Sequence, residues 1–225
     1  MTITDERPTT VMTTPAADPA PLGLAAFALT TFLLSAANAH WMTTATGDAW
    51  LGYAFAYGGL AQFAAGMWEF RNRNVFGATA FGTYGGFWLG IGLWALLVAP
   101  PPTPPAGTSP AAAAALAAAH AAATGKDLGW ILLAFAIFNT YMLLMSTQIN
   151  MAVFGVFLTL ELTEIFLAIG NFAANANIVK IGGYVGVLTA LVAWYTSAAI
   201  VVNTMRGGAP TLWVGKALWA PRPSV

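Results

Sequence analysis

Six stretches of about 20 residues, near 22–45, 49–70, 75–99, 128–147, 150–171 and 178–203, are apolar and almost free of charge. At 1.5 Å of rise per residue, a helix of ~20 residues covers the ~30 Å of a bilayer's hydrocarbon core. In that medium each backbone N–H and C=O must be satisfied within the segment, which leaves the helix as the form open to an apolar run of this length. The expected fold is therefore all-α and integral to the membrane, with six transmembrane helices. Charged residues make up 7% of the chain, against about 25% in soluble domains. The formal net charge is zero and no basic run occurs, so nucleic-acid binding has no support. The chain has no cysteine, which excludes disulfides, thiolate metal sites and cysteine nucleophiles.

The punctuation between these stretches sets the organisation. Residues 1–17 are polar, Thr- and Pro-rich, and are expected to be a disordered cytoplasmic leader. Residues 18–205 form the six-helix membrane domain, and 206–225 a cytoplasmic interfacial tail carrying Trp213 and Trp219; partner binding is the rival reading of that tail. Gly47-Asp48 reads as a tight turn, and Arg71-Asn72-Arg73-Asn74 as a short antiparallel connection. Pro100-Pro101-Pro102 and Pro104-Pro105 stop the third stretch and open a Pro/Ala-rich outer loop over 100–127. Within it, the alanine tract 106–125, with Ser109-Pro110 ahead and Gly125 behind, is expected to be a capped surface helix separate from the next span. With the N-terminus inside, Arg7, Arg71, Arg73, Arg206, Lys216 and Arg222 fall on one side and Lys126 and Lys180 on the other. That asymmetry places both termini in the cytoplasm.

Helical spacing then picks out one face of each span. Asp18 precedes Pro19 and Pro21, a pattern suited to a helix start. Beyond it Phe27, Thr31, Leu34 and Asn38 share a face. So do Gln62, Gly66 and Glu69; Phe135, Asn139, Met142 and Ser146; and Leu160, Glu164, Leu167 and Asn171. Amides, hydroxyls and aromatic rings without fixed positive charge suit a path for a small polar or weakly acidic solute. The candidates to line it are Thr31, Asn38, Gln62, Thr83, Trp88, Asn139, Asn171 and Asn175. Glycines crowd the second and third spans (Gly58, Gly59 and Gly66, then Gly77, Gly82, Gly85, Gly86, Gly90 and Gly92), as close helix packing and a tight oligomer require.

Ionisable groups at mid-membrane cost about 2.5–3.5 kcal/mol even on insertion scales, and they face a bundle interior or carry a function. Glu161 and Glu164 lie three residues apart near the centre of the fifth span. Two carboxyls this close in a low dielectric do not both ionise readily, so the pair is a candidate to hold a proton and couple it to transport. Fixing helix packing is the competing role. Glu69, beside Arg71 and Arg73 at the end of the second span, is a third candidate for proton coupling, with an interfacial ion pair as its alternative. Enzyme chemistry finds no foothold: His40 and His120 are on different elements, and no phosphate loop, dinucleotide fingerprint or serine elbow is present. No cofactor or metal is expected.

The segment Asp18-Pro19-Ala20-Pro21-Leu22-Gly23-Leu24 resembles the Asn-Pro-Ala-Pro-Leu-Gly-Leu signature of the acetate uptake transporter family, the YaaH/SatP-like acetate and succinate transporters. The resemblance continues through Tyr57-Gly58-Gly59-Leu60-Ala61-Gln62, Glu69-Phe70, the block from Phe76 to Leu89, and Leu167-Ala168-Ile169-Gly170-Asn171. It implies six transmembrane helices per protomer, a homohexameric ring in the plasma membrane, and one path per subunit for acetate and related short carboxylates. Passage would be proton-linked or channel-like. It also implies a hydrophobic constriction of one Phe, one Tyr and one Leu, which fall on Phe27, Tyr84 and Leu160.

Two positions depart from the pattern. Asp18 replaces the signature Asn, and both residues cap helices well. Glu161 and Glu164 stand where the resemblance implies apolar or hydroxyl side chains. A negative charge beside Leu160 would repel a carboxylate, so the acids are protonated, face a neighbouring subunit, or mark a different substrate. A neutral-solute channel for urea, amides or ammonia, and a non-transporting membrane sensor or assembly subunit, are the alternative functions.

Overall fold

The computed structural model describes residues 16–42 and 48–219. The leader up to residue 15, the turn at Gly47, and Arg222 lie outside the described residues. The elements are all helical: α1 (Ala20–Asn38), α2 (Ala49–Phe55), a π-helical segment (Ala56–Ala61), α3 (Gln62–Arg71), α4 (Val75–Leu97), α5 (Pro110–Ser146), α6 (Met151–Phe172) and α7 (Ala176–Met205). Five of these helices, α1 and α4–α7, are long and apolar enough to cross a membrane.

Local chemistry explains most of the boundaries. The Asp18 carboxylate accepts the Ala20 N–H at 2.9 Å, one residue ahead of the helix, while Pro19 and Pro21 need no intrahelical partner. Asn74, Ser109, Asn150 and Asn175 cap α4, α5, α6 and α7 with side-chain acceptors. Arg73 and Ala174 take left-handed backbone conformations, at φ 58° and 49°, to turn the chain between neighbouring helices.

Two stretches differ from the sequence expectation. The second apolar run is helical from Ala49 to Arg71, but its middle widens into the π-helical segment over Tyr57-Gly58-Gly59. A Cβ on Gly58 would press into Thr30 and Trp88, and one on Gly59 into Leu89. The widened turn thus lies where the run crosses α1 and α4 at backbone distance. The alanine tract is no separate surface helix: it runs without a break into the following span, giving a single helix of 37 residues. Nothing in Thr124-Gly125-Lys126-Asp127 ends a helix, since one glycine costs only about 1 kcal/mol and the alanines favour continuation. At this length, about 55 Å, α5 exceeds the hydrocarbon thickness. His120 Nε2 meets the Val98 carbonyl at 3.0 Å and ties the start of α5 to the end of α4.

Packing is dominated by α1 against α7, α7 against α6, α6 against α5, and α3 against α4. Small residues carry these contacts: Gly183 of α7 meets the Asn38–Ala39 backbone at the end of α1, Gly186 meets Ser35 of α1, and Gly66 of α3 meets the Gly82 backbone of α4. Outward faces present Leu93, Leu97, Ile137, Leu144, Ile169, Leu188 and Leu191, the apolar coat that a bilayer requires. The tail folds back on the ends of the helices. Asn203 grips Leu212 through both main-chain groups, Tyr195 donates to the Trp213 carbonyl, and Thr147 O accepts from Leu218 and Trp219.

Candidate functional site

Between the helices runs a string of four cavities. The first, about 70 Å³, is lined by Leu34, Asn38, Trp50, Phe87, Trp94, Leu132, Leu167 and Asn171 among others. The second, about 40 Å³, takes in Phe27, Thr31, Asn38, Tyr84, Trp88, Leu160 and Glu164. The third, about 30 Å³, adds Gln62 and Phe81 to Phe27, Tyr84 and Leu160. The fourth, about 270 Å³, opens at the Asp18 end, with Glu69, Asn74 and Asn150. Each cavity shares lining residues with the next. The second and third have Phe27, Tyr84 and Leu160 in common and no other residue. Their volumes hold about two or three water-sized bodies each, the scale of a solute of a few heavy atoms.

Phe27, Tyr84 and Leu160 come from α1, α4 and α6 and are 5%, 3% and 6% exposed. The Phe27 and Tyr84 rings meet edge to face with centroids 5.8 Å apart. Phe135 and Phe138 back Tyr84 from α5 at 6.0 and 5.5 Å. A narrow apolar neck of this kind disfavours a hydrated ion, since a polar group entering it loses its water partners.

The polar side chains divide sharply. Buried unpartnered atoms among the described residues are Thr31 Oγ1, Gln62 Oε1, Glu69 Oε1, Trp88 Nε1, Trp94 Nε1 and Glu164 Oε2. Every one belongs to a residue that lines one of the four cavities. Buried polar atoms without a partner are rare because each costs about 1–3 kcal/mol. Six such atoms thus border one string of cavities.

The two acids of α6 separate. Glu164 is 3% exposed and lines the second cavity, with its Oε1 3.1 Å from the Tyr84 hydroxyl. Glu161 points to the α5 side, where Oε2 accepts from Asn139 Nδ2 at 2.7 Å and Oε1 meets the exposed Thr140 hydroxyl at 2.9 Å. Asn139 is fully buried and links the two acids: its Oδ1 is 3.0 Å from the Tyr84 hydroxyl, and its Nδ2 also donates to the Phe157 carbonyl at 2.9 Å. Glu69 takes Asn74, not an arginine, as its partner: Oε2 accepts from Asn74 Nδ2 at 3.0 Å. Of the sequence candidates, Thr83, Asn139, Asn175 and Glu161 line none of the four cavities; Asn175 is exposed and caps α7 through the Asn177 and Ile178 N–H groups. Ser35 and Thr163 border the second cavity and Asn150 the fourth. Ser35 lies one residue from the Thr31–Leu34 face, a signal that spacing alone does carry.

A model of the GPR1/FUN34/yaaH family matches residues 4–207. The chain belongs to that family. Among its members, acetate permease A of Emericella nidulans is 37% identical over 194 residues, 84% of this chain and 62% of its own length. The chain thus spans under two thirds of that fungal relative. The succinate-acetate/proton symporter SatP of Escherichia coli K12 is 34% identical over 191 residues, covering 85% of this chain and 92% of SatP. The solved structure of the bacterial acetate channel SatP superposes with a TM-score of 0.74 at 32% identity, over 89% of this chain and 99% of that one. The four cavities run between α1, α3, α4, α5 and α6, with Trp50 of α2 at the first and Ile200 of α7 at the fourth.

Proposed function

We propose that this family member passes acetate and related short carboxylates, succinate among them, across the plasma membrane. Six spans per protomer, the second being the π-interrupted run from Ala49 to Arg71, assemble as a homohexamer with both termini in the cytoplasm. Each protomer carries its own path. The observation that carries this reading is the coincidence of the six unpartnered buried polar atoms with the string of cavities. The names of the acetate and succinate-acetate relatives supply the solute class.

Solute enters at Asn38 and Asn171, meets Thr31, Trp88 and Glu164, and crosses the Phe27–Tyr84–Leu160 neck to Gln62. It leaves through the wide cavity beside Asp18 and Glu69. A bare carboxylate is strongly disfavoured in the neck, so crossing is linked to a proton, for which Glu161, Glu164 and Glu69 are the candidate holders.

The test is uptake of labelled acetate into proteoliposomes, with and without an imposed pH gradient. Acetate uptake above that of protein-free vesicles, increased by an acidic exterior and suppressed by unlabelled acetate, supports the reading. Flux indifferent to pH and to acetate competition points to a neutral solute. No movement of any small solute points to a sensor or assembly subunit.

A further inference from the structure

Hydrogen atoms can be counted across the buried tie between Glu164, Tyr84, Asn139 and Glu161. The Phe157 carbonyl only accepts, and it lies 2.9 Å from Asn139 Nδ2. That contact fixes the amide, because a flipped Asn139 would set oxygen against oxygen. Asn139 Oδ1 then faces the Tyr84 hydroxyl at 3.0 Å as an acceptor, and the one proton of that hydroxyl goes to it. The same hydroxyl lies 3.1 Å from Glu164 Oε1. With its own proton committed, the Tyr84 oxygen is an acceptor there. Two acceptor oxygens at that distance repel unless a proton lies between them, and only the Glu164 carboxyl can supply it. At the far end the Thr140 hydroxyl also has two acceptors, Ala136 O and Glu161 Oε1. Thr140 is exposed, so a donor from outside the protomer can meet the one left over, and the count leaves Glu161 undetermined.

We infer that Glu164 stands in this fold as the neutral carboxylic acid, its O–H directed at Tyr84, and that its free Oε2 selects the undissociated form of the acid entering the neck. This rests on the proposed function. Oε2 is buried and unpartnered in the second cavity. As the carbonyl oxygen of a neutral acid it only accepts. An undissociated short carboxylic acid offers it an O–H, whereas a carboxylate brings another acceptor and is turned away. The titratable groups facing Glu164 are Tyr84 from α4 and Glu161 one turn back on α6. The other elements around it present Thr31 from α1, Asn139 from α5 and, beside Thr163, Thr189 from α7, none of which titrates in this range.

Infrared spectroscopy of the full-length protein in lipid reads the proton directly. At neutral pH the wild type should show the C=O band of a protonated carboxyl, and Glu164→Gln should remove a component that Glu161→Gln leaves in place. In Tyr84→Phe that component should shift, having lost its acceptor. A spectrum that Glu164→Gln does not alter, or a component that Tyr84→Phe leaves unmoved, overturns the assignment whichever variant folds.

Uptake separates this claim from the one beneath it. At fixed total acid, wild-type uptake net of protein-free vesicles should fall about tenfold per pH unit above the titration range of a simple carboxyl, near pH 4.3. In Glu164→Leu, which offers the cavity no acceptor, the fall should flatten. An equally steep fall in that variant overturns selection by Oε2. Absence of uptake in both proteins, with the infrared component intact, rejects the transport function and leaves the protonation standing.

Discussion

Phe27 and Tyr84 meet edge to face at 5.8 Å between ring centroids, and with Leu160 they form the whole boundary common to two successive cavities. Tyr84 is held from behind by Phe135 and Phe138, so the aliphatic side of the neck is the one to widen without disturbing that aromatic cluster. Leu160→Ala should admit larger acids such as lactate, seen as a rise in the lactate-to-acetate uptake ratio in proteoliposomes. Removing a buried leucine also costs about 2–5 kcal/mol, so the ratio and not the absolute rate is the measure. An unchanged ratio would place the size limit elsewhere.

Asn139 makes three hydrogen bonds from a fully buried position, to Tyr84, the Phe157 carbonyl and Glu161. Asn139→Leu keeps the number and branching of the side-chain heavy atoms and removes all three. The stranded Tyr84 hydroxyl and Phe157 carbonyl should lower stability by about 1–3 kcal/mol each where nothing replaces the amide. A lower midpoint in a detergent melting curve checks this. Asn139→Asp, which keeps an acceptor toward Tyr84 but loses the donors, should be destabilised as well.

Glycines of α3 and α4 should divide by what lies opposite. Gly66 faces the Gly82 backbone with no room for a Cβ, so Gly66→Ala should force α3 and α4 apart and cost about 1–3 kcal/mol. Gly86 and Gly90 have nothing within 4 Å of an added Cβ. Gly86→Ala should be neutral or slightly stabilising to the monomer, since alanine gains up to about 1 kcal/mol of helix propensity. Melting midpoints of the two variants should therefore move in different directions, or one should move alone.

Periodicity made the faces of the helices legible. Phe27, Thr31, Leu34 and Asn38, four and three residues apart, line one cavity, and Leu160, Glu164 and Leu167 line it from the opposite helix. What periodicity lacks is the third dimension. Nothing local in Asn139 or Tyr84 announces that they touch across 55 residues, because the contact depends on how α4 and α5 approach. The π-helical turn was hidden for a related reason: Gly58-Gly59 fits ordinary helix packing, and only the crossing with α1 and α4 selects the wider turn. Composition alone hides the continuity of α5, since a weakly lipophilic alanine tract is still an excellent helix former. Asn175 shows the converse, a polar residue whose type suits a path but whose position serves a helix cap.

The tail offers a change that should leave the path alone. Asn203 holds Leu212 by two hydrogen bonds, Nδ2 to its carbonyl at 2.9 Å and Oδ1 from its N–H at 2.8 Å. Further along, Val214 O accepts from Ala152 N–H and Leu218 and Trp219 reach Thr147 O. Asn203, in the last turn of α7, thus clamps the chain at Leu212, beyond the helix end at Met205. Each bond is worth about 0.5–1.5 kcal/mol net, so Asn203→Ala should loosen the strap without unfolding the helices. Trypsin should then cut faster after Arg206 and Lys216, both exposed residues of the strap. Acetate uptake should stay within experimental error of the wild type, because Asn203 lines none of the four cavities. Faster cutting with lost uptake would mean instead that the strap holds the ends of α5–α7 in the arrangement the path requires.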